Sequence, residues 1–548
     1  MTVKQYACVE IPVGVQQNVR ITDPEGRCFL RNSFEKQPVR FSYDDMGLEK
    51  VEPTGEASCC IRFFPEKCGR YRVCLDTGDI SVDVVPSDCH GYVVVSPKDP
   101  RYFACSDGTP WYPIGINLTY PTQVRLWDQG EFKGNGQYGT MGLREYDRWF
   151  RQCSENGVNL VRLWLGHPYF NPDTEDAEVF DPLQWSKIDE IVALAERYSI
   201  KLKLTLEQFR FFDYDREDHS GSFDAHVFNL FRKKLYYRGR RCESASEWLT
   251  EELWQNCWLN KVQQLANRVE GNPAVFCIEL WNEMNAVRAG GVPEWNYLML
   301  PKVKTIFPKQ LVVNSLGSDC QLYGPKYQDS FWSIMPFQQF HRYLDCGSPF
   351  EVSHGDPLDF QYDAVKTWAT PDKPFVMAET GAVNPNHSGP FAYYSGDHRG
   401  IIFCDCVYVP LFSGAASCGH IWHWGQAYVE SKNLYPYFKP LFQLIDGIAF
   451  DEEQFHSERY DTQQLSLILL RGKRHIIGYL RNRADNWLRV LRDNGMPAPA
   501  EENLEVSLPG QPDISQIWTE ETGTASWEAD GLVVKNLKFG LLLRWNKE

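Results

Sequence analysis

The stretch Val275-Phe276-Cys277-Ile278-Glu279-Leu280-Trp281-Asn282-Glu283 decides how this chain folds. It opens apolar and β-branched, contains no Gly or Pro, and ends in a polar pair. Strands covered on both faces of a parallel sheet read as near-continuous apolar runs, and a polar end marks where such a strand emerges. A second stretch, Phe375-Val376-Met377-Ala378-Glu379-Thr380-Gly381, has the same form. Each brings one carboxylate to the carboxyl end of a buried strand.

Working outward from these two, six more runs read as strands: 111–117, 160–166, 202–207, 311–315, 333–338 and 419–425. Helical patterns fall between most of them, at about 142–156, 185–198 and 251–269. Eight strand units with helices between them suit a (β/α)8 TIM barrel with insertions. An open doubly wound sheet is the alternative, but no GxGxxG or P-loop follows any strand. Barrel sites lie at the carboxyl ends of the strands, so the polar ends are expected at one mouth. The loop over about 209–246 is long and carries Phe211, Phe212, Tyr214, Phe223, Phe228, Phe231, Tyr236 and Tyr237. Such a loop at a barrel mouth is expected to form a wall or lid.

Both flanks lack helical periodicity. Residues 1–95 hold short alternating runs such as Arg70-Tyr71-Arg72-Val73-Cys74-Leu75, separated by turn signals. From 450 onward, runs such as His475-Ile476-Ile477-Gly478-Tyr479-Leu480 repeat that pattern. The expected fold class is therefore α/β: an N-terminal β-sandwich (1–95), a (β/α)8 catalytic barrel (96–449) and a C-terminal β-sandwich (450–548). The last is read as packing support rather than a sugar-binding module, because it holds no cluster that resembles a binding site.

Composition narrows the function classes. The 548 residues exceed what one core organises. Lys plus Arg is 56 and Asp plus Glu is 72, a net charge of −16. An acidic chain of this kind is a poor partner for nucleic acid or an anionic membrane. The beginning of the chain has no apolar export segment, and the 17 cysteines form no CxxC pair. A reducing, cytoplasmic setting is expected, with no membrane partner and with a homo-oligomer left open. Cys404 and Cys406, near His398, do not have a recognised zinc spacing, and no HxH or HExxH arrangement ends a strand. No metal and no cofactor are expected.

Glu283 and Glu379 come from the fourth and seventh strands. Two carboxyls facing each other across a cleft are the usual equipment for cleaving glycosidic bonds, one as acid and then base, the other as nucleophile. Asn282 is placed to bond a sugar 2-hydroxyl, and Arg162, at an inward position of the second strand, to favour an ionised carboxylate. Glu279 shares parity with Glu283 and is expected one layer below it, as a buried hydrogen-bonded group. His423, of opposite parity to Trp422 and Trp424, is expected to face a helix.

These residues carry a family resemblance. Trp281-Asn282-Glu283, Glu379 in Met377-Ala378-Glu379-Thr380-Gly381, His341-Arg342-Tyr343 after the sixth strand, Arg162, and Trp422 and Trp424 resemble clan A glycoside hydrolases, family 5 most closely. The resemblance covers roughly 92–450. It implies Glu283 as acid/base, Glu379 as nucleophile, Asn282 near the 2-hydroxyl, Tyr343 bonded to the nucleophile, and a Trp from the eighth strand under the sugar; His341 is read into the site on the strength of its neighbour Tyr343. Where family 5 usually places a His after the third strand, this chain has Glu207-Gln208. Glu207 is read either as a ligand for sugar hydroxyls or as a structural ion-pair partner. The expected activity is retaining hydrolysis of short β-linked oligosaccharides, exo-acting, with an endo-acting glycanase of the cellulase or mannanase kind as the alternative. A non-catalytic sugar-binding barrel is disfavoured, because both Glu residues are present.

Overall fold

A computed structural model describes the chain except for residues 126, 129–130, 133–137, 209–234, 287–288, 318–330, 386–388, 519–522, 529–530 and 548. Seven strands run parallel through its centre: β1 (Gly115–Asn117), β2 (Leu160–Trp164), β3 (Lys201–Glu207), β4 (Val275–Trp281), β5 (Leu311–Val313), β6 (Gln338–Leu344) and β7 (Phe375–Ala382). β1 to β5 pair in sequence order, and β6 pairs with β7. Ile421 takes the eighth position, bridging in parallel to Thr380 of β7 and Ile116 of β1. Asn117 reinforces that seam, its Nδ2 donating to the carbonyls of Ala378 (3.1 Å) and His420 (3.0 Å).

The strands thus follow barrel order, but backbone pairing does not close the ring. Among the described residues no ladder joins β5 to β6, and the seam carries a side-chain bond instead, Gln339 Nε2 to the Asn314 carbonyl at 2.8 Å. Three sequence expectations are corrected here. The sixth strand begins at Gln338 rather than Ser333, so His341 and Tyr343 lie on it and not after it. Pro336, which has no N–H to give a ladder, sits in the stretch before it. The first strand begins at Gly115, after Pro113. The run 419–425 forms no extended strand, and its pairing is confined to the Ile421 bridges. His423, with φ of 60°, breaks the extended path there.

Helices cover the outside: α1 (Leu143–Glu155), α2 (Pro182–Arg197), α3 (Glu252–Val269), α4 (Val292–Ile306), α5 (Pro357–Trp368) and α6 (Ile401–Phe412). Their starts follow local chemistry. Asp181 and Asp356 accept the backbone N–H two residues on, and a proline with preset φ fills the first helical position in each. α6 is buried on every face, as its apolar sequence requires. One side of it meets the strand His475–Asn482: the Tyr479 ring lies 5.6 Å from Tyr408, and Tyr479 and Arg481 bond Asp405 at 2.7 and 3.0 Å.

A three-stranded sheet (Val93–Val95, Phe103–Cys105, Pro110–Trp111) plugs the amino-terminal end of the ring. The Phe103 ring packs edge-on against Phe276 (5.3 Å) and Phe337 (5.4 Å), which sit at strand starts. This floor leaves the carboxyl ends as the accessible mouth.

The flanks are built mainly of β-sheets. Near the N-terminus, sheets of five and three strands enclose Val9, Val19, Ile61, Phe63, Val73 and Val82. Near the C-terminus, sheets of five and three strands enclose Leu467, Leu504, Leu532, Leu541 and Trp545. The first unit is tied to the helices by Arg62, which bonds Asp189 on α2 at 2.7 Å and the Arg268 carbonyl on α3 at 3.2 Å. No helix among the described residues is long and apolar enough to cross a membrane. Most of the aromatic loop expected at the mouth, 209–234, lies outside the described residues. Its end forms a small hairpin, Tyr236–Tyr237 against Arg240–Arg241.

Candidate active site

The polar ends of β2, β4, β6 and β7 converge on Arg162. This arginine is fully buried, and each nitrogen has a carboxylate or amide to meet. Nε donates to Glu279 Oε2 (2.7 Å), and Nη2 to Glu279 Oε1 (3.1 Å) and Asn282 Oδ1 (2.6 Å). Nη1 donates to Glu379 Oε1. A planar five-donor fork suits several oxygens at once. Burial alone would lower the guanidinium pKa, but Glu279 and then Glu379 more than offset it and hold the pKa above the ordinary value.

Glu379 receives a second donor, the Tyr343 hydroxyl, at 2.6 Å from Oε2. Burial, and then the negative charge of Glu379, keep that phenol protonated far above its usual range. His341 stands between the two mouth carboxyls. Its Nδ1 is 2.7 Å from Glu283 Oε1 and 3.4 Å from Glu379 Oε2. One oxygen of each carboxylate and that nitrogen lie within 4.8 Å of one another. Three such atoms could also hold a cation, with Arg162 already paired to one of the carboxylates. The arrangement favours sharing protons.

Glu283 leaves β4 in a left-handed conformation, φ 48°, uncommon for a residue with a Cβ. Neighbours hold it there. Its N–H donates to Ser315 Oγ (3.0 Å), and the Met284 N–H donates to the Ser315 carbonyl (3.1 Å). Gly317 lies against its carboxyl: a Cβ built at that glycine would meet Glu283 Cδ at 2.8 Å. Gly317→Ala should therefore displace the Glu283 carboxyl and lower kcat about tenfold to a hundredfold, an effect common for roughly 1 Å misplacements. Circular dichroism should show an unchanged fold, and the kinetics check the claim.

An aromatic wall rises beside Glu379. The Trp422 N–H donates to the Thr380 carbonyl (2.7 Å), which sets Trp422 beside the site. Its ring lies 5.1 Å from Trp164 and 5.0 Å from Trp424. Tyr120 meets Trp424 edge-on at 5.1 Å and stacks on His167 at 4.5 Å. Aromatic faces of this kind suit the apolar face of a sugar ring.

Of the residues singled out in sequence, Glu283, Glu379, Asn282, Arg162, His341 and Tyr343 are brought into one bonded cluster, with Trp422 and Trp424 in the adjoining wall. Glu207 is not. Its carboxylate turns to the helix layer, where the Trp258 Nε1 donates to it at 2.9 Å and Lys261 pairs with it. Of its two readings, the geometry supports the ion pair. Glu279 occupies the layer below the mouth, where Thr205 Oγ1 (2.6 Å) and Gln339 Nε2 (2.9 Å) also bond it. Burial would raise its pKa, but Arg162 and Lys203 outweigh burial and hold the carboxyl far below its usual range. His423 packs against the Tyr394 ring at 5.6 Å, away from the carboxylates.

Sequence reasoning missed Lys203, Thr205 and Gln339, which complete the layer under the mouth. The strict alternation of Leu202-Lys203-Leu204-Thr205-Leu206 was the available signal, since one parity of a barrel strand faces inward. It also missed Gln208. The Asn282 N–H donates to the Glu207 carbonyl (2.8 Å), which sets Gln208 beside Asn282, and both of its amide atoms are buried without a partner. Buried amides normally have partners, so this one suits a polar ligand.

No family model matches the sequence, and no curated protein is significantly similar to it. Solved structures are similar in fold. A candidate glycoside hydrolase from Bacteroides vulgatus ATCC 8482 aligns over 100% of both chains, with a TM-score of 0.58 and 15% identity. A family 5 glycoside hydrolase from the same organism aligns over 83% of this chain and 93% of its own, with a TM-score of 0.50 and 12% identity. The chain thus has the fold of a family 5 glycoside hydrolase, the family that its two Glu motifs resemble in sequence.

Proposed function

We propose that the chain is a retaining β-glycoside hydrolase that acts on short β-linked oligosaccharides from one end. The observation that carries this is the spacing of the two mouth carboxyls, an oxygen of each within 4.8 Å. Retaining enzymes hold their carboxyls about 5–5.5 Å apart, whereas inverting ones leave about 6.5–9.5 Å for a water. Glu379, with Arg162 and Tyr343 donating to it, attacks the anomeric carbon. Glu283 gives its proton to the leaving oxygen. A glycosyl ester forms on Glu379, and Glu283, now ionised, takes a proton from the water that cleaves it. Asn282, held by Arg162, bonds the 2-hydroxyl, and Trp422 carries the apolar face of the ring.

The architecture that goes with this reading is a (β/α)8 barrel (96–449) between two β-sandwiches (1–95 and 450–548), supported by the enclosed apolar clusters of the flanks. A reducing compartment fits the described cysteines, which are all free. Imported oligosaccharides rather than polymers would be the substrates in such a setting, which favours exo action. An endo-acting glycanase on the same fold is the second reading.

The test is a panel of nitrophenyl β-glycosides and oligosaccharides, with the anomer of the first product read by NMR. Steady release of one small sugar with retained configuration is expected. Inverted product would sink the retaining mechanism, and early mixed-length products from a polymer would sink exo action. Glu283→Gln should lose about 10²–10⁴-fold on natural sugars, the usual worth of a general acid. It should lose far less on a dinitrophenyl glycoside, whose leaving group needs no proton.

A further inference from the structure

Below the mouth lies a charge layer that no step above uses. Lys203 of β3 is 1% exposed. Its ammonium donates to Gln339 Oε1 on β6 and stands 3.5 Å from Glu279 Oε2 on β4. Gln339 in turn donates to Glu279 Oε1. Glu279 is therefore shared between two buried cations, Lys203 below and Arg162 above. The groups that face Lys203 are Glu279 and Cys277 on β4, Arg162 on β2, Glu379 on β7, and His420 near the eighth position. His420 is held neutral by burial first, then by Lys203, Arg162 and His341, so it adds no charge.

The balance of this layer is informative. Two cations, Arg162 and Lys203, face three carboxyls: Glu279, Glu379 and Glu283. An isolated net charge in a low-dielectric interior is costly, so the neutral arrangement carries one further proton, on a carboxyl or on the His341 imidazole between the mouth pair. Glu279 is the most heavily donated of the three and stays ionised, which leaves the proton to the mouth pair. His341 Nδ1 lies closer to Glu283 than to Glu379, while Arg162 and Tyr343 both serve Glu379.

We infer that Lys203 is a positioning residue for the mouth pair: its ammonium satisfies Glu279, so that Arg162 is free to donate upward to Glu379 and Asn282, and the single shared proton stays with Glu283 and the His341 nitrogen beside it. Removing the ammonium leaves Glu279 to draw Arg162 down and adds one net negative charge beneath both catalytic carboxyls. Burial lowers the Lys203 pKa to about 8, with Glu279 opposing. The inference rests on the glycosidase reading above.

The test is the pH dependence of kcat/KM for Lys203→Met, for Glu279→Gln and for the double variant, on a nitrophenyl β-glycoside that the wild type cleaves. The two limbs of that profile report the essential base and acid. In Lys203→Met both limbs should move to higher pH by about one unit, the size expected of one charge several ångströms away at an effective dielectric of ~20. The kcat should fall at least about tenfold at neutral pH, with KM changed far less. The double variant removes the opposite charges together, so its limbs should return to near the wild-type positions, and its loss of kcat should be smaller than the product of the two single losses, a coupling that independent sites would not show. If Lys203→Met does not fold, the double variant carries the test: limbs near the wild-type positions support the inference. Limbs displaced as far as in Glu279→Gln alone overturn it. A folded Lys203→Met with unchanged limbs and kcat also overturns it. Failure of the wild type to cleave any glycoside would instead refute the glycosidase reading, so the two failures are distinct.

Discussion

Glu379→Ala should lose essentially all turnover, at least about 10⁴-fold in kcat, the scale seen when a nucleophile is removed. The loss follows from position. Glu379 Oε1 and Oε2 are each bonded, to Arg162 and Tyr343, in a pocket where the carboxylate is 4% exposed. The alanine leaves a space beside the aromatic wall in which azide fits. Azide should restore part of the rate on an activated aryl β-glycoside and give an α-glycosyl azide, because one displacement then replaces two. Near-normal activity without azide, or a β-azide product, would remove Glu379 from the nucleophile role.

Arg162→Met has the largest expected effect on stability. It strips a cation from two buried carboxylates at once and leaves Asn282 Oδ1 without its donor. Breaking a buried pair by removing one partner costs about 3–5 kcal/mol, because the remaining charge stays buried. The denaturant midpoint should fall accordingly, with the slope unchanged. The pH dependence has a definite sign. Glu279 is held below its usual range when folded and titrates normally when unfolded. Its contribution is therefore full above the unfolded value and is lost as pH falls through that value toward the folded one. In Arg162→Met the folded value rises, so the contribution at neutral pH shrinks and the acid-dependent loss becomes shallower. A variant as stable as wild type at neutral pH would refute this account of Arg162.

The carboxylates were legible in sequence because each follows an apolar run in a buried strand, Val275–Ile278 and Phe375–Ala378, and the shared parity of Glu279 and Glu283 anticipated Glu279 in the layer below. Helix positions were legible for the same reason: Asp181-Pro182 and Asp356-Pro357 announce their own helix starts. Two features escaped. The strand at 338–344 reads Gln-Gln-Phe-His-Arg-Tyr-Leu, too polar for the buried-strand pattern, because its inward face is the site itself. Glu207 kept the parity of Lys203 and Thr205, yet turns outward. Its register partner Trp281 does the same, packing on Trp248 and Trp295 at 5.6 and 5.9 Å. Parity read along one strand cannot reveal a change of face that two paired strands make together at the rim.

The helix α6 sets a limit on how this architecture can be cut or exchanged. Twelve residues with no polar face are covered on one side by the strands and on the other by the sheet that contains Tyr479 and Arg481. A chain ended near residue 450 would bare that helix, and with it Asp405 without its arginine. The mainly β unit at the C-terminus is thus not a removable accessory. It supplies part of the wall of the catalytic core, so the two are expected to melt in one transition, and any ancestor that carried the core alone would have needed a different helix in that place.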